Sequence, residues 1–209
     1  MSGLTQSTVL WHAPLHLAAE ERHIMGMPAE TSITTITELL ALPEDGLRHE
    51  LLDGEHVVTP APVPRHQLAV GAFVHALQDV VWDREDMEVF TSPADIVLGP
   101  RTLVQPDIFV IRRHPGNPPR SWDDVGIPLL TIEILSPSTA ARDRGRKRKL
   151  YLNAGVREYW IIDVEARVVE RWRSGDERPE IVDGVLEWLL AEGVGGTIDL
   201  PGIFERIAR

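Results

Sequence analysis

The chain has 209 residues, 43% of them hydrophobic and 25% charged, with no cysteine and a formal net charge of −11. This length suits one domain with a sizeable core, and the balance is that of an ordinary soluble globular protein. It excludes a disulfide framework, a zinc–thiolate centre and a thiol nucleophile, and it argues against a broad surface that coats nucleic acid.

No apolar run approaches the length of a membrane span, so no membrane association is expected. The N-terminal segment lacks the basic start and apolar stretch of a signal peptide, which makes the cytoplasm the expected location. Residues 1–30 show no periodicity and hold Met25 and Met27 as internal candidate starts. They are expected to form a loosely structured extension, dispensable for folding, to a domain over residues 31–209.

"TSITTITELLALPEDG" supplies capping threonines, a short amphipathic run and a Pro/Gly stop, which predict a helix near 35–42. "LRHELLDGEHVVTP" reads as two strands joined by Asp53-Gly54, a tight hairpin. From His66 to Trp82, the spacing of Leu68, Gly71, Ala72, Val74 and Leu77 predicts a second helix. "MEVFTS", "ADIVLG" and "LVQPDIFVIRR" are strand candidates, followed by a polar loop from His114 to Gly126. Then come a strand at "LLTIEILSPST" (129–139), a helix over about 141–153 and a strand "REYWIID". "RVVERWRS" and "GVLEWLL" continue as antiparallel strands to near Phe204. The order predicts a mixed α/β (α+β) fold around one sheet.

Glu133 stands in the middle of an aliphatic strand, and a buried carboxylate needs a partner or a cation. On alternating phase Asp107 shares a face with Phe109 and Ile111, and Glu133 shares one with Thr131 and Leu135. Two carboxylates facing the same way on neighbouring strands repel each other unless a hard divalent cation such as Mg²⁺ (or Mn²⁺) lies between them. The bland alternatives are an Asp at a strand end and a solvated Glu on an edge.

The stretch "RDRGRKRK" (142–149) holds six basic residues among eight. On helical phase Lys147 falls on the packed stripe with Asp143, Leu150, Tyr151 and Ala154, whereas Arg144, Arg148 and Lys149 fall off it. An inward Lys147 would meet the carboxylates; alternatively its ammonium snorkels to the helix edge.

These segments resemble the Uma-two family, a branch of the PD-(D/E)XK nuclease superfamily, over about residues 35–204. The likeness is carried by "RHELLDGE", "VQPDIFVI", "TIEILSPST", "DRGRKRKLYLNAGVREYWIID" and "IDLPGIF". It implies a restriction-endonuclease-like core, a mixed sheet flanked by helices, with additional antiparallel strands. It also implies metal binding at Asp107 and Glu133. The superfamily's lysine position is Leu135 here, and Lys147 takes the displaced place as the third catalytic residue. Glu50 corresponds to an acid on the first elements, or is a solvated cross-strand partner. His66 recurs in the family pattern, although a lone histidine at a helix start is more often a cap. Glu158 either borders the site or pairs with an arginine, and Trp160 reads as core.

The implied activity is Mg-dependent hydrolysis of DNA phosphodiester bonds, with Asp143 and Tyr151 in support. Arg142, Arg144, Arg146, Arg148 and Lys149 would grip neighbouring phosphates. The rival from another class is an inactive nuclease fold that binds nucleic acid or a partner protein; a homodimer is left open.

Overall fold

Local turn chemistry sets the first sheet. The computed structural model describes residues 32–114, 116, 118–191 and 194–209, and the expected N-terminal extension lies outside them. Thr35 caps α1 (Ile36–Leu40): its hydroxyl accepts from Glu38 N, and the Glu38 carboxylate accepts from Thr35 N in return. β1 (Arg48–Leu52) and β2 (Glu55–Thr59) form the expected hairpin. Asp53 (φ 50°) and Gly54 (φ 81°) supply the two positive φ angles that its turn requires.

α2 (Pro64–Val81) opens on a proline that its first turn tolerates and buries Ala69, Phe73, Leu77 and Val81. The expected stripe through Leu68 is out of phase, because the row that carries the bulk of Phe73 takes the core and leaves Leu68 58% exposed. β3 (Met87–Thr91) and β4 (Ile96–Gly99) follow. The stretch read as one strand at 103–113 divides into β5 (Thr102–Val104) and β6 (Ile108–Arg112), which belong to different sheets. Pro106 lies in the break and has no N–H to continue a ladder.

β7 (Leu130–Ile134) leads into α3 (Ala140–Arg142), a π-helical turn (Asp143–Lys147) and α4 (Arg148–Ala154). Gly155, at φ 100°, ends this helix in the left-handed region and turns the chain into β8 (Glu158–Asp163). β9 (Val168–Arg173), β10 (Glu180–Val182), β11 (Val185–Ala191) and β12 (Val194–Asp199) complete the strands. The chain then forms α5 (Leu200–Ala208), where only strand had been expected up to Phe204. Pro201 in its first turn and buried Leu200, Phe204 and Ile207 at helical spacing account for it.

Among the described residues there are two larger sheets and a ribbon, not one sheet. Their orders are β2-β1-β5-β4, β10-β9-β8-β7-β6-β3 and β11-β12. In the six-stranded sheet β7 and β8 run parallel and the other pairs antiparallel, the α3–α4 crossover joining the parallel pair. One face of that sheet, with Ile108, Val110, Ile132, Ile134, Trp160 and Ile162, packs against α2 and α5. The other, with Phe109, Ile111, Tyr159 and Ile161, packs against Tyr151 of α4 and Leu52, Ile96 and Val104 of the first sheet. Alternation therefore turns Thr131 and Glu133 toward α4. Among the described residues no helix is long and apolar enough to cross a membrane.

Candidate active site

The register of β6 on β7 pairs Ile108 with Ile132, and one step outward sets Asp107 across from Glu133. The two carboxylates expected on adjacent strands line one cavity. Glu50 reaches the same place from β1, where its Oε1 accepts from Gln105 N at 2.8 Å. Lys147 closes the group. Its Nζ lies 2.6 Å from Glu133 Oε1 and 2.8 Å from Glu50 Oε1. Tyr151 OH donates to the same Glu133 oxygen at 2.8 Å.

These groups are all withdrawn from water: Glu50 is 1% exposed, Asp107, Asp143 and Lys147 2%, and Glu133 3%. Burial pushes the Glu133 carboxyl up to about 8; Lys147 opposes the shift, and Asp107, Asp143 and Glu50 add to it. Burial likewise raises Asp143 against the pull of Lys147. At Asp107 burial acts upward, but His66, Arg48 and the Ile134 N–H together bring the carboxyl below its ordinary value. Burial acts to discharge Lys147, and Glu133, Glu50 and Asp143 outweigh it, so the ammonium stays charged.

Asp107 is held on both oxygens. Arg48 Nη1 donates to Oδ1 at 2.8 Å, and Ile134 N and His66 Nε2 meet Oδ2 at 2.8 and 3.0 Å. His66, three residues into α2, is thus tied to the site and is no mere cap. Arg48 was not foreseen. The available signal was its place two residues before Glu50, on the same face of β1.

The helix phase assigned from sequence holds for Asp143, Lys147 and Tyr151, at steps of four residues. The π turn among them was not legible. Its Arg148 N–H donates to Asp143 O, and the same carbonyl accepts from Tyr159 OH at 3.1 Å. Such wide turns recur at functional sites, where they re-aim side chains.

Four of the five outward basic residues have protein partners. Arg142 Nη2 donates to Thr59 Oγ1 at 2.9 Å and lines the cavity. Arg144 also lines it, and donates to Glu170 at 2.7 Å and Asp163 at 3.1 Å. Arg146 clasps the hairpin through the Glu55 carboxylate and Leu52 O, and Arg148 lies 4.0 Å over the Trp172 ring. Lys149 is exposed. Glu158 stands apart from the cavity, accepting from Trp160 Nε1 at 2.8 Å and from Arg173 Nε at 3.1 Å. The arginine-pairing alternative is the one found there. Trp160 is core, edge-on to Trp188.

The cavity holds about 610 Å³, walled by the loop Thr59–Val63 on one side and Ser136–Thr139 on the other. Residues 36–199, more than three quarters of the chain, match the model of the Uma2 family, described as "Putative restriction endonuclease". The chain belongs to the Uma2 family. An uncharacterized protein of Synechocystis sp. is 26% identical over 186 residues, covering 88% of this chain and all of that one. The crystal structure of a putative nuclease belonging to DUF820 from Anabaena variabilis shares the fold, with a TM-score of 0.70 at 22% identity. That likeness covers 83% of this chain and 98% of the other. Every residue of the buried cluster lies inside the Uma2 match.

The resemblance drawn from the sequence implies a divalent cation. Among the described residues no three Asp, Glu or His converge as a ligand set, since Lys147 ties Glu50 to Glu133 and Arg48 with His66 holds Asp107. The donor chemistry suits a hard cation nonetheless. Four buried carboxylates outnumber the buried Lys147 and half-buried Arg48. The bonds to Glu50 and Glu133 fall on Oε1 of each, which leaves Oε2 as a donor.

Proposed function

We propose that this protein is a metal-dependent endonuclease that hydrolyses phosphodiester bonds of DNA. One observation carries the reading: a charged, fully buried ammonium, Lys147, set between Glu133 and Glu50 beside Asp107 in a cavity. Structural ion pairs rarely concentrate so many buried charges in one place, whereas active sites do.

Asp107 and Glu133 would hold Mg²⁺ or Mn²⁺, which would supply a water of lowered pKa and offset charge on the phosphate. Lys147 has three N–H donors, and two are taken by Glu50 and Glu133. The third is free for a phosphate oxygen or the attacking water, and this donation strengthens as negative charge builds. Tyr151 and Glu50 keep Lys147 and Glu133 in place. Arg48 and His66 orient Asp107, and Arg48 with Arg142 offers cationic donors to the substrate where they line the cavity.

The second reading, a fold that binds without cutting, is favoured by the saturation of Asp107, whose two oxygens already accept three bonds. Cleavage of plasmid and single-stranded DNA with Mg²⁺ or Mn²⁺, compared between wild type and Asp107→Ala, decides between them. Cutting that disappears in Asp107→Ala supports the first reading; binding with no cutting supports the second.

A further inference from the structure

Resting on the nuclease reading, we infer that the site takes an unpaired DNA strand and not an intact duplex. The first ground is depth. The carboxylates and Lys147 are at most 3% exposed, so the scissile phosphate must enter the cavity to meet them. A duplex carries its phosphates on a stiff rod with stacked bases behind them, and enzymes that need a group to leave that stack must extrude it. A single strand bends at each phosphodiester and brings one phosphate inward alone.

The second ground is the walls. Pro60 and Pro62 restrict one loop and Pro137 the other, so neither spreads easily to admit a rod. Between them Val63 lines the cavity while 64% exposed, an apolar surface against which an unstacked base can lie.

The third ground is charge. Duplex binding gains its affinity from many phosphate contacts. This chain is at −11 overall, and the cations nearest the cavity are already matched. Arg144 pairs with Glu170 and Asp163, and Arg65 with Glu165. Arg48 is matched too, through Asp107. Arg142, bonded to the Thr59 hydroxyl and, among the described residues, to no carboxylate, is left with the remaining donors of Arg48 to meet phosphate. That suffices for a short stretch of strand and not for a duplex face.

The test uses a fluorescein-labelled DNA oligonucleotide, unpaired or annealed as a blunt duplex, titrated by anisotropy with Ca²⁺ and then cut with Mn²⁺. The small diester bis(4-nitrophenyl) phosphate is assayed alongside. The unpaired strand should bind about tenfold tighter than the duplex or better. It should also be cut faster, with a slope of log affinity on log salt no steeper than about −2. Equal binding and cutting of duplex, with the small diester hydrolysed, overturns the inference and leaves the nuclease reading standing. Failure to hydrolyse both DNA and the small diester overturns the two together.

Discussion

The helix after β7 carries charge on two faces with opposite fates. On the inner face, Asp143, Lys147 and the Tyr151 hydroxyl are buried among Glu50, Asp107 and Glu133, an acidic surplus that a single ammonium does not neutralise. On the outer face, Arg144, Arg146 and Arg148 look like a nucleic-acid patch in sequence, yet each is spent on Glu170, Glu55 or Trp172. The outer charges tie the helix to β9 and the β1–β2 hairpin; the inner ones are held in a strained balance that a structural role does not require. Charge balance, and not basic-residue count, separates scaffold from chemistry.

Lys147→Ala attacks the inner face hardest. On sequence alone this change looks harmless to the fold, since helices accept alanine well. The structure reverses that expectation, because the substitution takes from Glu50, and from Glu133 where it is ionised, their buried ammonium partner. Such a loss costs about 3–5 kcal/mol in comparable buried pairs, and less below pH 8, where Glu133 already holds a proton. Urea melts should show the destabilisation, and cleavage should vanish. Adding Glu133→Gln to Lys147→Ala should return stability without returning cleavage. A Lys147→Ala protein that melts like wild type would break the contrast between the two faces.

Glu133 sharpens the same contrast through pH. Its folded pKa, about 8, lies above the ordinary 4.5, so the folded state keeps a proton that the unfolded chain has released. That contribution is complete below pH 4.5 and is lost as pH rises through 8. Without divalent metal, wild type should lose melting temperature across this window relative to Glu133→Gln, whose profile is flatter. Mg²⁺ should offset the loss at the alkaline end. Parallel profiles for the two proteins would show that Glu133 is ionised throughout. Tyr151→Phe removes one hydrogen bond to the same carboxylate; it should cost about 1 kcal/mol in a melt and slow cleavage without abolishing it.

The inner face was the more legible of the two. Alternation along β7, the four-residue step of the helix and the Asp53-Gly54 turn are local signals, and they place Glu133, Lys147, Tyr151 and the hairpin correctly. What sequence did not show depends on distant partners. Arg48 meets Asp107 across 59 positions, and Arg144 meets Glu170 across 26. Neither pairing leaves a periodic trace. The phase of α2 failed for a related reason: Leu68 and Phe73 both suit a core, and only the packing of α5 and the sheet selects Phe73. α5 itself was signalled by Pro201 and the Leu200–Phe204–Ile207 spacing, which the preceding strand pattern obscured.

The outer face yields the smallest effects and the cleanest check on the comparison. Arg148 lies over Trp172, an arrangement worth about 0.5–1 kcal/mol when partly exposed, and Arg148→Ala should lower stability by that order. Arg146→Ala frees the hairpin carboxylate Glu55, which is itself largely exposed, so its cost should be no greater. Lys149 is exposed, and Lys149→Ala should leave the melt unchanged within error. If these residues are scaffold, none of the three changes should alter DNA affinity or its salt slope, measured by anisotropy at several salt concentrations. Arg142→Ala, at the cavity, should weaken binding and make the slope shallower by about 1, as the loss of one phosphate contact does. Should Arg146→Ala or Arg148→Ala reproduce the Arg142→Ala effect, the outer arginines exchange their protein partners for phosphate when DNA arrives. The helix would then present two functional faces in place of one.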